Sequence, residues 1–210
     1  MVPTKPFRAT RHDDKRFRFL EEGMSVHTLA ERARAAGVAF LQGTTGGWSS
    51  HDLALWLIGM YEPAAVRVGD GASSAPSSSR RLEHETLERV VLTARARVFA
   101  MLENTSSWRG ETFAKNVVDA GLVVGVRDAF GGIGYAAVAC DPMRLVDRVA
   151  SLFVADYLTR PADYAIVETC EECGAIAFDG RPVHAHWCES PPNESSIVAL
   201  REQRKTMHGL

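Results

Sequence analysis

Residues 122–159 read LVVGVRDAFGGIGYAAVACDPMRLVDRVASLFVADYLT. Leu122 to Arg127 and Tyr135 to Cys140 are apolar runs of strand length. Asp128 to Gly134 lies between them, and its glycines suit a hairpin turn. Asp141-Pro142 has the form of a helix start, a capping residue followed by proline where the missing N–H costs nothing. Leu145, Val149, Leu152 and Phe153 then recur at helical spacing to about Thr159, and Pro161 stops the helix. Cys140 reads as a small buried hydrophobe. A hairpin followed by an amphipathic helix predicts an α+β fold: a small, mostly antiparallel sheet with helices on one face.

Upstream, Leu87, Val90, Val91, Ala94, Val98 and Leu102 mark the longest helix, about 82–103. A short helix over 111–120 is stopped by Gly121. ASSAPSSS, residues 72–79, has the composition of a linker. It suggests a helical N-terminal region with a basic arm at 1–71, a linker or loop at 72–81, and an α+β domain at 82–210.

Within the N-terminal region, Ser49 and Asp52 form a capping box before Leu53 to Ile58, and that helix ends before Pro63. It is apolar on most sides, so it is buried or makes an interface. Trp48 and Trp56 are expected in the core. Ser25 caps a helix through about Ala36 with Gly37 as its stop, leaving Val38 to Gln42 as a strand or extended link. Gly43 to Gly47 resembles a phosphate cradle only superficially, because no Lys-Ser/Thr follows. Residues 1–12 read as an arm, with a first helix starting near Asp13.

Downstream, Ala165 to Thr169 reads as a third strand. It leads into residues 170–188, CEECGAIAFDGRPVHAHWC. Cys170 and Cys173 are spaced C-x2-C, and Gly174 lets the backbone turn behind the second sulfur. Ala175 to Asp179 suits a short strand, and Gly180-Arg181-Pro182 a turn. His184 and Cys188, four positions apart, lie on one face of a helical turn. Cys170, Cys173, His184 and Cys188 therefore make a tetrahedral Zn2+ set, with His186 a rival for the third place. Beyond Pro191-Pro192, Asn193 caps a last basic helix to about Met207.

The stretch resembles a small zinc finger of the C2HC kind over about twenty residues. Ten residues, 174–183, separate Cys173 from His184, where the classical finger has about twelve. A structural disulfide, a redox C-x-x-C and four unconnected residues are competing readings. Glu168, Glu171 and Glu172 oppose the redox one, since negative charge raises a thiol pKa. Four protein ligands close the shell, which points to structural zinc.

Four cysteines, three of them in this stretch, do not suggest a disulfide framework. With no apolar run long enough to span a bilayer and no signal-peptide core, the expectation is a cytoplasmic protein without membrane contact. The net charge of −2 hides a split: +4 over residues 1–18, +2 over residues 197–210, and −8 between. The zinc stretch has one base, Arg181, against five acids over 168–189, the wrong sign for phosphate.

No nucleophile motif, Walker motif or metalloprotease motif is present. Asp119, Asp128 and Asp141 lie near strand ends where they could converge, and His27, His51 and His84 are scattered. The first expectation is thus a non-enzymatic, zinc-stabilised regulatory or interaction protein whose partner is another protein. The second is a nucleic-acid-associated protein using Arg16 and Arg18 of the arm, Arg89, Arg95 and Arg97 of the long helix, and Arg201, Arg204 and Lys205 of the tail. The third is an enzyme whose site assembles from distant residues.

Overall fold

A computed structural model describes residues 17–67, 84–139, 143–170 and 174–178. The chain opens with strand β1 (Phe17–Phe19), then α1 (Val26–Gly43) and a 3-10 turn (Thr44–Gly46). Helix α2 (Ser50–Trp56) continues through a π-helical segment (Leu57–Tyr61) and a helical turn, α3 (Glu62–Ala64), into β2 (Ala65–Arg67). Then come α4 (His84–Glu103), a 3-10 turn (Thr105–Trp108), α5 (Glu111–Asp119), β3 (Val123–Arg127), β4 (Ile133–Ala139) and α6 (Leu145–Thr159). A 3-10 turn (Pro161–Tyr164) leads to β5 (Glu168–Thr169) and β6 (Ile176–Ala177).

The fold is α+β. The four-stranded sheet, ordered β1-β3-β4-β2, is mixed rather than mostly antiparallel. The β3–β4 hairpin is antiparallel, with Val123 opposite Ala137 and Arg127 opposite Ile133. β1 runs parallel to β3 and β2 parallel to β4. Strands from before residue 68 thus flank a hairpin from after residue 122. The expected linker, 72–81, lies outside the described residues.

Three local expectations are corrected. Gly37 does not stop α1, which runs on to Gly43, because Phe40 and Leu41 continue the buried stripe of Leu29, Ala33 and Ala36. Val38 to Gln42 is therefore helix. Phe17 to Phe19 is strand, paired to β3, in place of the helix expected from Asp13. Helix α6 begins at Leu145, after extended Arg144, whose guanidinium pairs with Asp147 in the first turn; Asp141-Pro142 lies outside the described residues. The caps stand as read: Ser25 Oγ accepts from Thr28 N–H at 3.0 Å, and Ser49 and Asp52 form the capping box.

Helices α1 and α6 run in opposite directions against the sheet. Val26 and Thr159 meet at Gly134, and Gly37 meets Phe153 farther along. One core fills the space between α1, α4, α6 and the sheet, with Phe40, Val98, Leu102, Leu152 and Phe153 at its centre. A second, smaller one joins Val26 and Leu29 to Val126 and Ala136. Buried rings keep their polar ends bonded, as burial demands. Trp56 Nε1–H donates to the Ala36 carbonyl at 2.9 Å, and Tyr61 O–H to the Val138 carbonyl at 2.9 Å. Tyr135 N–H, on the side of β4 that short β2 does not reach, donates to Thr159 Oγ1 at 3.0 Å.

Candidate metal hairpin

β5 and β6 pair antiparallel, Glu168 with Ala177 and Thr169 with Ile176. The ladder continues one step: Cys170 N–H donates to the Ala175 carbonyl at 2.9 Å. Gly174 N–H then donates to the Cys170 carbonyl at 2.8 Å. The C-x2-C spacing thus bridges a loop whose two ends are bonded to each other. Gly174 has φ +71°, a left-handed conformation that favours glycine. A Cβ there would also stand 2.3 Å from the Leu41 carbonyl oxygen. Gly174 therefore rests against the C-terminal turn of α1, and only glycine permits that approach.

A buried ionic cluster holds the other end of the hairpin. The Asp156 carboxylate on α6 is fully buried. It accepts from Arg34 Nε at 2.6 Å, Arg160 Nε at 2.8 Å, Arg160 Nη2 at 2.5 Å and the Tyr164 hydroxyl at 2.7 Å. Arg34 Nη2 also donates to Asp163 at 2.7 Å. Two guanidinium groups thus face two carboxylates, so the charge is balanced, as a buried group requires. The Arg34 guanidinium lies 4.3 Å from the centre of the Phe178 ring, just past β6. Phe178 also meets Tyr164, with ring centres 5.0 Å apart.

Burial pulls the Arg34 pKa down, but bonding to Asp156 and Asp163 and the Asp156 charge outweigh it, so the net shift is upward. Burial pushes the Tyr164 phenol well above its ordinary value, and the Asp156 charge adds to that. Tyr164 is therefore a fixed donor, not an acid. The cluster ties α1, α6 and the 3-10 turn after α6 to one another.

Of the expected zinc ligands, Cys170 is described: it is buried and makes no disulfide. Cys173, His184 and Cys188, with His186, lie outside the described residues. Among the described residues no three of His, Cys, Asp and Glu stand close enough to hold a metal. Asp119 and Asp128 sit at opposite ends of β3 and do not converge. Asp119 pairs with Lys115. Asp128 accepts from the backbone N–H groups of Val26, Phe130 and Gly132, and so ties the hairpin turn to the start of α1.

The expected cations are spread out. Arg18 donates to the Arg67 carbonyl at 3.1 Å. Arg89 and Arg97 are exposed on α4, about 80° apart around it. Arg95 is half-buried, with its guanidinium 5.0 Å from the centre of the Phe99 ring. Arg16, Arg201, Arg204 and Lys205 lie outside the described residues. No described helix is long and apolar enough to cross a membrane.

The Asp156 cluster went unread in the sequence, although Asp156 stands one turn after Leu152 on the buried stripe of α6, a place for a carboxylate only if cations meet it there. Comparison with protein-family models, curated proteins and solved structures finds no match to this chain.

Proposed function

We propose that this protein is a non-enzymatic, zinc-stabilised regulatory or protein-interaction protein, in which Cys170, Cys173, His184 and Cys188 hold one structural Zn2+. The observation that carries the reading is the closed loop from Cys170 to Gly174. Its ends, Cys170 and Gly174, are bonded to each other and bracket the C-x2-C spacing, a spacing that suits two sulfurs on one ion. Gly174 presses that turn onto α1, and Phe178 fastens the hairpin to Arg34.

The ion, when bound, supplies a cross-link between this loop and the chain that follows it. A four-ligand shell leaves no position for substrate. Thiolate ligands call for a reducing compartment, which the cytoplasm provides. Support for a protein partner comes from α2 and its π-helical extension. Trp56 and Tyr61 are buried on one side, while Leu55 and Ile58, three positions apart, stay exposed on the other.

Metal analysis of the purified chain, with and without Cys173→Ser, tests the reading. One zinc per chain, lost in the variant together with thermal stability, is the expected outcome. A metal-free wild-type chain, or a variant that melts like the wild type, would overturn it.

A further inference from the structure

Residues 50–64 form one continuous helical run: α2, the π-helical segment and α3. Two buried rings, Trp56 and Tyr61, fix its inner side. Glu62 N–H bonds the Leu57 carbonyl, five residues back. That wider turn keeps Tyr61 in line with Trp56, and their ring centres lie 5.6 Å apart. The outer side is then His51, Ala54, Leu55, Ile58, Gly59 and Glu62, all exposed. Leu55 is 57% exposed and Ile58 66%.

Gly59 has no reason within the chain. Its backbone is helical, not left-handed. A Cβ there would meet nothing within 4 Å among the described residues. Glycine is a poor helix former, so neither backbone nor internal packing asks for it here. What bare backbone on an exposed helix permits is close approach from outside.

The outer side is also complementary to itself. Two copies of the run can be set antiparallel about a two-fold axis, with Leu55 of one protomer facing Ile58 of its partner. The same register sets Ala54 against Gly59 and His51 against Glu62. Small meets small, apolar meets apolar, and an imidazole N–H meets a carboxylate. Each pairing occurs twice, as a two-fold interface requires. Asp52 does not oppose it, because its carboxylate is turned back onto the N–H and hydroxyl of Ser49.

We infer that this chain forms a reversible homodimer through the outer side of residues 51–62, with the two helical runs antiparallel and closest at Ala54 and Gly59. This names the partner for the protein-interaction half of the proposed function and rests on that half; zinc takes no part in it. About three turns of helix make a small patch beside the roughly 800 Å2 per partner of a standard interface. Dissociation is therefore expected at about 10–100 μM. A membrane surface fits less well, since Asp52 and Glu62 flank the apolar pair and anionic headgroups repel them. Nucleic acid is disfavoured by the same charges.

Sedimentation equilibrium of the full chain from about 5 to about 500 μM is the test. The weight-average mass should climb from 23.0 kDa toward twice that value. Ile58→Asp and Gly59→Gln should each weaken the dimer about tenfold or more. Both positions are exposed, and a thermal melt checks that the variants stay folded. His51→Glu should weaken the dimer too, and adding Glu62→Lys to it should restore association. Those two positions stand roughly 16 Å apart along one helix, so coupling between them arises only across two chains. A chain still monomeric at about 500 μM, a dimer indifferent to Ile58→Asp and Gly59→Gln, or no rescue by the second charge change overturns the inference. A monomeric chain that holds a different protein at Ile58 also overturns it, and leaves the proposed interaction role standing. A dimer with these responses in a metal-free chain does the reverse: it upholds the inference and overturns the zinc reading.

Discussion

Gly37 lies under the ring of Phe153, so close that a Cβ at Gly37 would stand 2.7 Å from its Cε2 and Cζ. This approach sets how near α1 and α6 come. Gly37→Ala should gain about 1 kcal/mol of helix propensity. It should lose about 1–3 kcal/mol to overpacking against a fully buried ring. The expected net effect is destabilisation, read as a lower urea midpoint. A higher midpoint would mean that Phe153 can swing aside.

Asp156 anchors Arg34, Arg160 and Tyr164 at once. Asp156→Asn keeps the shape and removes the charge, leaving two guanidinium groups without their shared counterion. A loss of about 3 kcal/mol or more is expected. Tyr164→Phe removes one hydrogen bond to a charged acceptor and should cost about 1.5–3 kcal/mol. Because both act on one cluster, their costs should not add. Chemical denaturation of the two single variants and the double variant gives the comparison.

Gly174→Ala meets two obstacles: a left-handed backbone and the Leu41 carbonyl. The second is main chain inside a helix and has little room to yield. A loss above about 1 kcal/mol is expected, with faster amide exchange over 168–178 than elsewhere. Unchanged exchange there would show that the loop is held by something other than its rest on α1.

Acid and alkali should unfold the protein through different residues. Hydrogen bonds to Asp128, led by that from Val26 N–H, outweigh its burial and hold its pKa below the ordinary 3.8. Its contribution is therefore complete above that value and disappears as pH falls through the folded value. Tyr164 is shifted the other way, chiefly by burial. Its contribution is complete below the ordinary tyrosine value of 10.0 and disappears as pH climbs through the raised one. Melting temperature against pH should show both limbs, with Asp128→Asn flattening the acid one and Tyr164→Phe the alkaline one.

The parts with strong periodicity were legible in the sequence. The hairpin over 123–139, α4, α5 and the body of α6 follow from apolar spacing, and two caps from their side chains. β1 and β2 were not legible. Three residues are too few to show alternation, and the pairings of Phe17 with Gly125 and Ala65 with Ala137 join distant parts of the chain. Gly37 misled because a glycine that ends a helix and one that admits a neighbouring ring look alike in sequence. At the hairpin, the turn at Gly174 was legible from the glycine itself. Its rest on Leu41 was not, since nothing local to Gly174 names a distant carbonyl.

The bond from Tyr135 N–H to Thr159 Oγ1 has a bearing on how copies of this protein behave when crowded. An uncovered strand flank invites another chain to add itself, and repeated addition builds aggregates. Here a helix blocks the stretch of β4 that β2 leaves bare, and the opposite flank, β1, is three residues long. Replacing Thr159 with valine would unmask that stretch, and turbidity on concentrating the variant should rise sooner than for the wild type.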